Sequence, residues 1–366
     1  MNYDTDFLGF KGKVSFEFTY DAFKSVASDI CTYFKKNSSS GQKLVIGYDT
    51  RMMAKEYAQE FSRIASGLGL KVFLGNRCAP SSVMVKNALH KKSMGTVVIT
   101  GDMHDAAILG IRLFDDKGSP VRPSQFTSQP SNKKKLPKFK DCLKTGAVEM
   151  FDPCIIYEYL VSQMLSSFSP TNSENMVFSP LHGSGMWYFD HILRNFPVAG
   201  YTTHSEILAD LGGLELDPSF HTEQLYQDML ATNSSIGIVL SPDCSTLNCL
   251  YGKHRLTTKE SLQCMSKTLS HIKGSSTRVV VDKEFPLGDM PTESEMSIEW
   301  LENGKFHDEL KFLDFDIAID HLGRFYFHSQ GCPDALTASY LLTYFALVLS
   351  ESNGAISEEL KRIKKL

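Results

Sequence analysis

Short apolar runs rich in β-branched residues alternate along this chain with longer segments whose apolar residues recur every three or four positions. Runs of the first kind cover 43–48, 71–74 and 96–100, and a segment with helical spacing covers 54–66. This order predicts a βαβαβ unit with parallel strands. Ligands of such sheets bind beyond the carboxyl ends of the strands, so the turn after Thr100 is the first place to look for chemistry.

The same alternation occurs twice more. A second unit contains predicted strands at 176–178 and 236–240, and a third contains strands at 278–281 and 315–319 before a long apolar helix over 334–349. The prediction is therefore an α/β protein made of three consecutive, related α/β/α units.

We predict domain boundaries at 1–140, 150–252 and 253–366. Residues 116–150 are rich in Lys, Ser, Pro and Gly, which favours a solvated linker or surface hairpin, with partner binding by its lysine run (Lys133–Lys135, Lys138, Lys140) as the alternative. The pattern then predicts a helix whose apolar face consists of Ile155, Ile156, Tyr159, Leu160 and Met164. Ser357 is the predicted start of a final helix.

Composition excludes several classes of protein. The 366 residues carry 38 basic and 42 acidic side chains, so no broad positive field indicates binding to nucleic acid. No apolar run approaches the roughly 18 residues that span a bilayer, and the first residues do not form a secretory signal. The 8 cysteines are scattered, which favours buried free thiols in the cytoplasm over disulfides or a zinc site.

Four groups of residues, in order, resemble motifs of the α-D-phosphohexomutases, the family of phosphoglucomutase, phosphomannomutase and phosphoglucosamine mutase. Residues 9–12 (GFKG) are similar to the family's GWRG, and 47–51 match its GYDTR unchanged. Residues 99–105 (ITGDMHD) through 110–112 (GIR) are found where the family has ITASHNP through GIK. Residues 179–185 (SPLHGSG) are similar to DPMHGVG. The resemblance extends over essentially the whole chain.

The resemblance implies α/β/α domains around a central cleft. Members have a fourth domain with a phosphate-binding loop of the pattern RxSGTEP, and we expect it to be absent here. Members move a phosphoryl group between a phosphoserine and either end of a phosphosugar, with Mg²⁺ held by three aspartates. Catalysis of this kind depends on positioning and electrostatic stabilisation.

Aligned with the family, the phosphoserine position is Asp102. Three interpretations stay open: catalysis is lost, Asp102 mimics part of the phosphoserine charge, or Asp102 accepts phosphate as an acyl phosphate. The metal motif DPDADR is replaced by residues 241–246, so that only Asp243 remains of the three aspartates and Ser241 and Ser245 stand in for the others. We expect the residual metal site to be unoccupied, because Mg²⁺ is recruited by carboxylates and phosphates.

The remaining positions are also altered. The resemblance places Lys11 where the family has arginine, and Arg112 where it has the lysine of GIK. Arg112 is a poor general base because a guanidinium does not lose its proton near neutral pH. His104 is one position beyond the family histidine, and Arg51 is the catalytic-domain motif residue that is retained.

In the third unit, Asp320 and His321 replace the two glutamates that bind sugar hydroxyls in the family. Both are candidate substrate-binding residues, although neither reproduces a glutamate.

These residues leave three functional hypotheses. The first is a phosphoglucomutase/phosphomannomutase-like protein of carbohydrate metabolism that is catalytically inactive and has a binding or regulatory role. The second is an active phosphosugar mutase or phosphatase that uses Asp102 as the phosphoryl acceptor. The third is a protein-interaction module. We expect no cofactor, with Mg²⁺ only if activity remains, and as partners a phosphosugar and a protein or second copy at the open cleft.

Overall fold

The computed structural model describes most of the chain. The residues described are 2–4, 9–37, 41–122, 136–165, 174–193, 198–286, 296–302, 304–328 and 330–351. Lys133–Lys135 and the final helix predicted from Ser357 lie outside them. The chain divides into two compact units, one of Met1–Tyr157 with Ile207–Gly213 and the other of Glu158–Glu206 with Leu214–Leu366.

The first unit contains a sheet of seven strands in the order β1-β2-β6-β5-β3-β4-β7. The strands are β1 (Asn2–Asp4), β2 (Gly9–Lys13), β3 (Lys43–Tyr48), β4 (Lys71–Gly75), β5 (Thr96–Thr100), β6 (Ile108–Phe114) and β7 (Val148–Phe151). Strands β5, β3, β4 and β7 are parallel, whereas β6, β2 and β1 extend the sheet in antiparallel fashion. Strands β3 and β5 are buried along almost their whole length, which explains their continuous apolar sequence.

Helices α1 (Tyr20–Asn37), α2 (Ala54–Gly67), α3 (Ser81–His90) and α4 (Phe139–Lys144) accompany this sheet. The buried residues of α1 recur every three or four positions, as an amphipathic helix requires. Phe23 of α1 packs its ring against Phe61 and Tyr57 of α2, so aromatic contacts join the two helices.

The prediction of a solvated linker or hairpin over 116–150 is wrong for its second half. Residues 139–144 form α4, and β7 pairs in parallel with β4 at the edge of the first sheet. Val148 of β7 is buried while Glu149 is exposed. The strand is short and half exposed, so its sequence carries little apolar signal. Strand β7 therefore belongs to the first sheet, and the domain boundaries 1–140, 150–252 and 253–366 stay predictions.

Helix α5 (Pro153–Leu165) forms where predicted but buries a different face. Cys154, Tyr157 and Val161 are buried at helical spacing, and Pro153 is buried at the start of the helix. Ile155 and Tyr159 are 64% and 55% exposed. The helix is apolar nearly all round, so periodicity alone did not identify its buried side.

The second sheet has five strands in the order β12-β11-β10-β8-β9. These are β8 (Glu174–Ser179), β9 (Val198–Thr202), β10 (Ile236–Leu240), β11 (Leu247–Tyr251) and β12 (His254–Arg255). Its helices are α6 (Tyr188–Leu193) and α7 (Thr222–Ala231), with a single 3₁₀ turn at Pro218–His221. A further 3₁₀ turn, Leu211–Gly213, belongs to the first unit. Leu225 and Met229 of α7 pack on Val177 of β8 and Val239 of β10.

The third sheet has four strands in the order β14-β13-β15-β16. These are β13 (Thr277–Asp282), β14 (Met296–Leu301), β15 (Ile317–Ile319) and β16 (Phe325–Phe327), accompanied by α8 (Thr258–Lys273), α9 (Phe306–Leu310) and α10 (Ala335–Glu351). Helix α8 begins with a capping box between Thr257 and Glu260 and ends at Gly274, whose left-handed backbone suits glycine. None of the described helices has the length and apolarity to cross a membrane.

The prediction of three α/β units is confirmed, and the three sheets share one feature. In each sheet the last parallel strand continues into an antiparallel partner, as β5–β6, β10–β11 and β15–β16. The candidate residues of 101–107, 241–246 and 320–324 all lie in these connections. The fold thus places each candidate loop at the carboxyl end of a parallel strand.

Candidate functional site

Arg51 organises the loop that follows β5. Its guanidinium donates to the backbone carbonyls of Asp102 and His104 at 2.7 and 2.6 Å, and to those of Asp105 and Ile108 at 2.6 and 3.3 Å. The side chain is buried, so these bonds satisfy carbonyls that the turn would otherwise leave without partners. In this structure Arg51 therefore holds the shape of the loop.

Asp49 and Gly101 complete this arrangement. Asp49 accepts hydrogen bonds from the backbone N–H groups of Arg51 (3.0 Å) and Gly101 (3.1 Å), and its carboxylate lies 3.5 Å from Arg51 Nε. Burial raises the pKa of Asp49, and its contacts with Arg51, Thr100 and the two amides act in the opposite direction. A Cβ on Gly101 would lie 2.3 Å from Arg51 Nε, so only glycine lets the guanidinium approach this closely.

Asp102, the residue at the predicted phosphoserine position, lies at the tip of this loop in a left-handed conformation with φ of 56°. Its side chain is buried, and Oδ2 lies 3.6 Å from Nη1 of Arg112 on β6. The guanidinium of Arg112 also lies 5.5 Å from the ring of Phe114. Asp102 therefore faces a fixed positive charge, because arginine stays protonated in proteins.

Lys11 and His104 meet beside this pair. Lys11 lies opposite Gly110 in the β2–β6 register, which puts it on the same sheet face as Arg112, two residues along β6. Its Nζ lies 2.7 Å from Nε2 of His104. A lysine ammonium has only donors, so Nε2 accepts and is not protonated. While this bond is present, Nε2 of His104 is not available to take a proton from a substrate.

The loop after β10 is built around Asp243. Its Oδ1 accepts hydrogen bonds from the hydroxyls of Ser241 and Ser245, at 2.8 and 2.9 Å, and from the backbone N–H of Ser245 at 3.2 Å. All three side chains are buried, with 0%, 8% and 2% exposure for Ser241, Asp243 and Ser245. The two serines at the positions where the resemblance implies aspartates thus bond to Asp243.

The loop after β8 packs directly on this one. Ser184 donates from its N–H and its hydroxyl to the carbonyl of Pro242, at 2.7 and 3.0 Å. A Cβ on Gly183 would lie 2.1 Å from Pro242 Cα, so glycine is needed for the two backbones to approach. The glycine of this motif therefore has a structural function here.

His182 and His204 lie next to each other on this side of the second sheet. Their ring centroids are 5.3 Å apart, and Nδ1 of His204 lies 3.0 Å from the hydroxyl of Ser179. Nδ1 of His182 lies 3.0 Å from the carbonyl of Glu206. Burial lowers the pKa of His204, and its histidine neighbours lower it further.

Asp320, in the loop after β15, is fully buried. Its Oδ1 accepts from the N–H groups of Leu322 and Arg324, and its Oδ2 accepts from Nε of Arg324 at 2.6 Å and from the Tyr326 hydroxyl at 2.9 Å. Both oxygens are occupied by protein donors. His321 is 44% exposed, and its Nδ1 lies 3.7 Å from Oδ2 of Asp282.

The chemistry of these donor sets does not fit Mg²⁺. Within the described ranges, no group of three or more His, Cys, Asp or Glu side chains is arranged to hold a metal ion. Asp243 is the carboxylate of its loop, and its Oδ1 already has three protein donors. Mg²⁺ requires near-octahedral oxygen ligands, which this loop does not supply.

The structure brings together five of the residues predicted from the sequence: Lys11, Arg51, Asp102, His104 and Arg112. Ser241, Asp243 and Ser245 form a second group, and Asp320 and His321 belong to a third loop. The roles predicted for them in catalysis, substrate binding and metal binding stay predictions.

Sequence reasoning missed Asp49, Gly101, Arg324 and Tyr326. A sequence signal did exist for Asp49, which stands two residues before Arg51 at the end of a buried strand. Tyr326 gave no such signal, because the wholly aromatic sequence of β16 looks like core.

Comparison with known proteins identifies the first domain and the fold. Residues 8–129 match the family described as phosphoglucomutase/phosphomannomutase, alpha/beta/alpha domain I. No curated protein matches the chain.

Several solved structures are similar over nearly the whole chain. A Thermus thermophilus protein described as a phosphomannomutase is 18% identical with a TM-score of 0.79, covering 100% of this chain and 84% of the other. Parafusin, a phosphoglucomutase from Paramecium, is 13% identical with a TM-score of 0.79, and the match covers 99% of this chain and 75% of parafusin. The Aspergillus fumigatus N-acetylphosphoglucosamine mutase solved with GlcNAc-6P and magnesium is 10% identical with a TM-score of 0.50. This match covers 99% of this chain and 79% of the mutase.

The family match lies on the strands and loops that carry the Asp102 group, and the structural matches extend through all three sheets. Residues 8–129 therefore match phosphoglucomutase/phosphomannomutase domain I, and the chain has the fold of the phosphomannomutase and phosphoglucomutase structures to which it is similar.

Proposed function

We propose that this chain is a phosphohexomutase-like protein that does not catalyse phosphoryl transfer and has a binding or regulatory role. One observation carries the proposal. Asp102 stands where the resemblance puts the phosphoserine, and its carboxylate is buried and paired with Arg112 at 3.6 Å.

The Asp102–Arg112 pair lacks two properties that the reaction needs. A carboxylate has no hydroxyl to carry a phosphate ester, and Arg112 replaces a lysine that could exchange a proton. The pair is also neutral overall, whereas a phosphoserine carries about −1.5 to −2 charges that attract a metal and a sugar phosphate. Its geometry is that of a closed ion pair.

The metal loop supports the same conclusion. The Aspergillus fumigatus enzyme was solved with magnesium and GlcNAc-6P, and phosphoryl transfer in general depends on such a cation to balance the charge that develops. In this chain Ser241 and Ser245 replace two carboxylates and bond to Asp243. We infer that Mg²⁺ has no resident site here.

The direct test is a mutase assay with glucose 1-phosphate, a glucose bisphosphate primer and Mg²⁺. We expect no product from the wild-type chain, and none from Asp102→Ser, because restoring one hydroxyl does not restore the metal loop. A turnover that Asp102→Ala abolishes would contradict the proposal.

The alternative with Asp102 as phosphoryl acceptor has its own test. After incubation with radiolabelled bisphosphate, an acyl phosphate would appear as a label that hydroxylamine removes. Because Asp102 is buried against Arg112, we expect no such label. Asp243→Asn is a useful comparison, since it should lower labelling only if a metal takes part.

We further propose that a phosphosugar is the ligand and that the protein is cytoplasmic. The fold is that of proteins named for phosphosugar substrates, and none of the 8 cysteines, which all lie within the described ranges, forms a disulfide. Calorimetric titration with glucose 1-phosphate, glucose 6-phosphate and the bisphosphate tests binding without requiring turnover. A binding heat that Lys11→Ala or Arg112→Ala reduces would support this ligand class, and no heat from any of the three sugars would exclude it.

A further inference from the structure

The loop 241–246 is a closed hydrogen-bonded turn. The backbone N–H of Ser241 donates to the Thr246 carbonyl at 3.0 Å, and the N–H of Cys244 donates to the Ser241 carbonyl at 2.9 Å. The hydroxyl oxygen of Ser241 accepts from the N–H groups of Ser245 and Thr246, at 3.1 and 3.0 Å. These bonds join the two ends of the turn through a single side-chain oxygen.

The hydroxyl of Ser241 uses its whole hydrogen-bonding capacity in this arrangement. A hydroxyl has one proton and two lone pairs. The proton is directed to Asp243 Oδ1 at 2.8 Å, and the two amides occupy the lone pairs. No lone pair of Ser241 is left to bind a cation.

Asp243 Oδ1 is saturated in the same way. It receives the hydroxyls of Ser241 and Ser245, and it shares the N–H of Ser245 with the Ser241 hydroxyl oxygen. A buried carboxylate is costly unless its charge is balanced by donors or by a cation. In this loop the balancing partners are protein hydroxyls, at the two positions where the resemblance implies further carboxylates.

We propose that the hydroxyls of Ser241 and Ser245 take the structural place of a divalent cation, so that this loop folds and stays closed without metal. Three carboxylates in one short turn would repel each other and require a cation. One carboxylate with two hydroxyl donors is satisfied within the chain. The inference concerns the folding of a loop and holds whether or not the protein turns over a sugar, so the mutase assay and the test below can fail separately.

The test compares thermal unfolding in excess EDTA with unfolding in millimolar MgCl₂. For the wild-type chain we expect the same Tm in both buffers and no heat on calorimetric titration with MgCl₂. A Tm that rises with Mg²⁺ in the wild type but not in Asp243→Asn would overturn the proposal. The titration uses the folded wild-type chain, so it remains decisive if a variant fails to fold.

A reciprocal variant should behave in the opposite way. Ser241→Asp with Ser245→Asp puts three carboxylates in the turn, so we expect a lower Tm than wild type in EDTA and a rise of about 2–4 °C or more with Mg²⁺. A double variant as stable as wild type in EDTA would contradict the proposal.

Ser245→Ala tests the contribution of a hydroxyl, because it removes a donor from Asp243 and leaves the backbone bonds of the turn in place. We expect its Tm to fall equally in both buffers. Ser266→Ala is the matched control, since Ser266 is a buried serine of the same unit whose hydroxyl has no hydrogen-bond partner within the described ranges. Equal Tm values for the two variants would also contradict the proposal.

Discussion

At the residue scale, charged side chains near the strand ends bond to their own loops. Arg51 donates to four carbonyls of one loop, Asp320 accepts four hydrogen bonds in another, and Asp243 holds the two serines of the third. Buried charges persist when they are paired and hydrogen-bonded, and removing one partner is strongly destabilising. These residues therefore contribute first to the stability of the loops.

Gly101→Ala tests the close approach of Arg51. The added Cβ would lie 2.3 Å from Arg51 Nε and 2.4 Å from the Ile108 carbonyl oxygen, so the guanidinium must move away from the carbonyls that it binds. We expect a loss of about 1–3 kcal/mol in the free energy of unfolding, as for other overpacked sites. Urea denaturation of the full chain measures it.

Gly41→Ala is the control, since a Cβ at Gly41 meets no atom within 4 Å. Its effect should stay within about 0.5 kcal/mol. If the two variants are equally stable, the Arg51 contacts do not stabilise the loop.

His204 makes the stability of the second unit depend on pH. Its pKa in the folded state is lowered from 6.5, so on acidification the unfolded chain takes up this proton first. The contribution of His204 is complete above its ordinary pKa and is lost as pH falls through that value towards the lowered one. We expect the Tm to drop between neutral pH and about pH 5, and to drop less in His204→Asn.

The titratable neighbours of His204 are His182, His221 and Asp228, which this variant leaves in place. His271→Asn, at an exposed position, is the control and should retain the wild-type slope of Tm against pH. An unchanged slope in His204→Asn would assign the acid sensitivity to other groups.

At the scale of elements, the same connection recurs in all three sheets. The last parallel strand turns back into an antiparallel partner, and the candidate loop lies between them. Hydrogen bonds on both flanking strands fix the ends of each loop, so side chains inside it can be placed reproducibly. The edge strand β7 differs, because its four residues have little apolar pattern of their own and form a strand by pairing with β4.

Val148→Asp tests whether β7 belongs to the first sheet. Val148 is 1% exposed and pairs with Val72 of β4, so the variant buries an unpaired carboxylate. We expect a loss of about 3–5 kcal/mol in the free energy of unfolding, measured by urea denaturation. Met150→Asp places the same charge at a residue that is 42% exposed and should have a much smaller effect. Equal losses of stability in the two variants would indicate that this segment is a surface linker and not a strand of the first sheet.

At the scale of the whole molecule, the burial of the cysteines shows that solvent is excluded from the described core. All 8 are buried and none forms a disulfide, and burial raises the pKa of Cys78 to about 12 and also raises the pKa of Cys31 and Cys249. Thiolates are the reactive form, so the folded protein should resist thiol reagents.

We expect titration with Ellman's reagent near pH 8 to show almost no fast-reacting thiol in the native protein and 8 after denaturation. Adding urea below the unfolding transition is the control for local opening. Several fast thiols in the native state would show that part of the core opens readily.

Much of the fold followed from the sequence alone. The central residues of strand runs such as 43–48 and 96–100 are buried on both sides and therefore apolar, which makes these runs easy to recognise. The positions of the candidate loops followed as well, because parallel strands put their carboxyl ends at one edge of a sheet. The resemblance, which needs no coordinates, predicts that the carboxylate of Asp102 stands where the family has a serine hydroxyl.

Tertiary structure decided what those residues contact. Helix α5 is apolar nearly all round, so packing chose Tyr157 and Val161 for burial over Ile155 and Tyr159. The pairing of Asp102 with Arg112 joins a turn to the next strand. The hydrogen bonds from Arg324 and Tyr326 to Asp320 form only when β15 and β16 pair as a hairpin. Hydrogen-bond partners are set by distances of a few tenths of an ångström, which residue type and spacing along the chain do not specify.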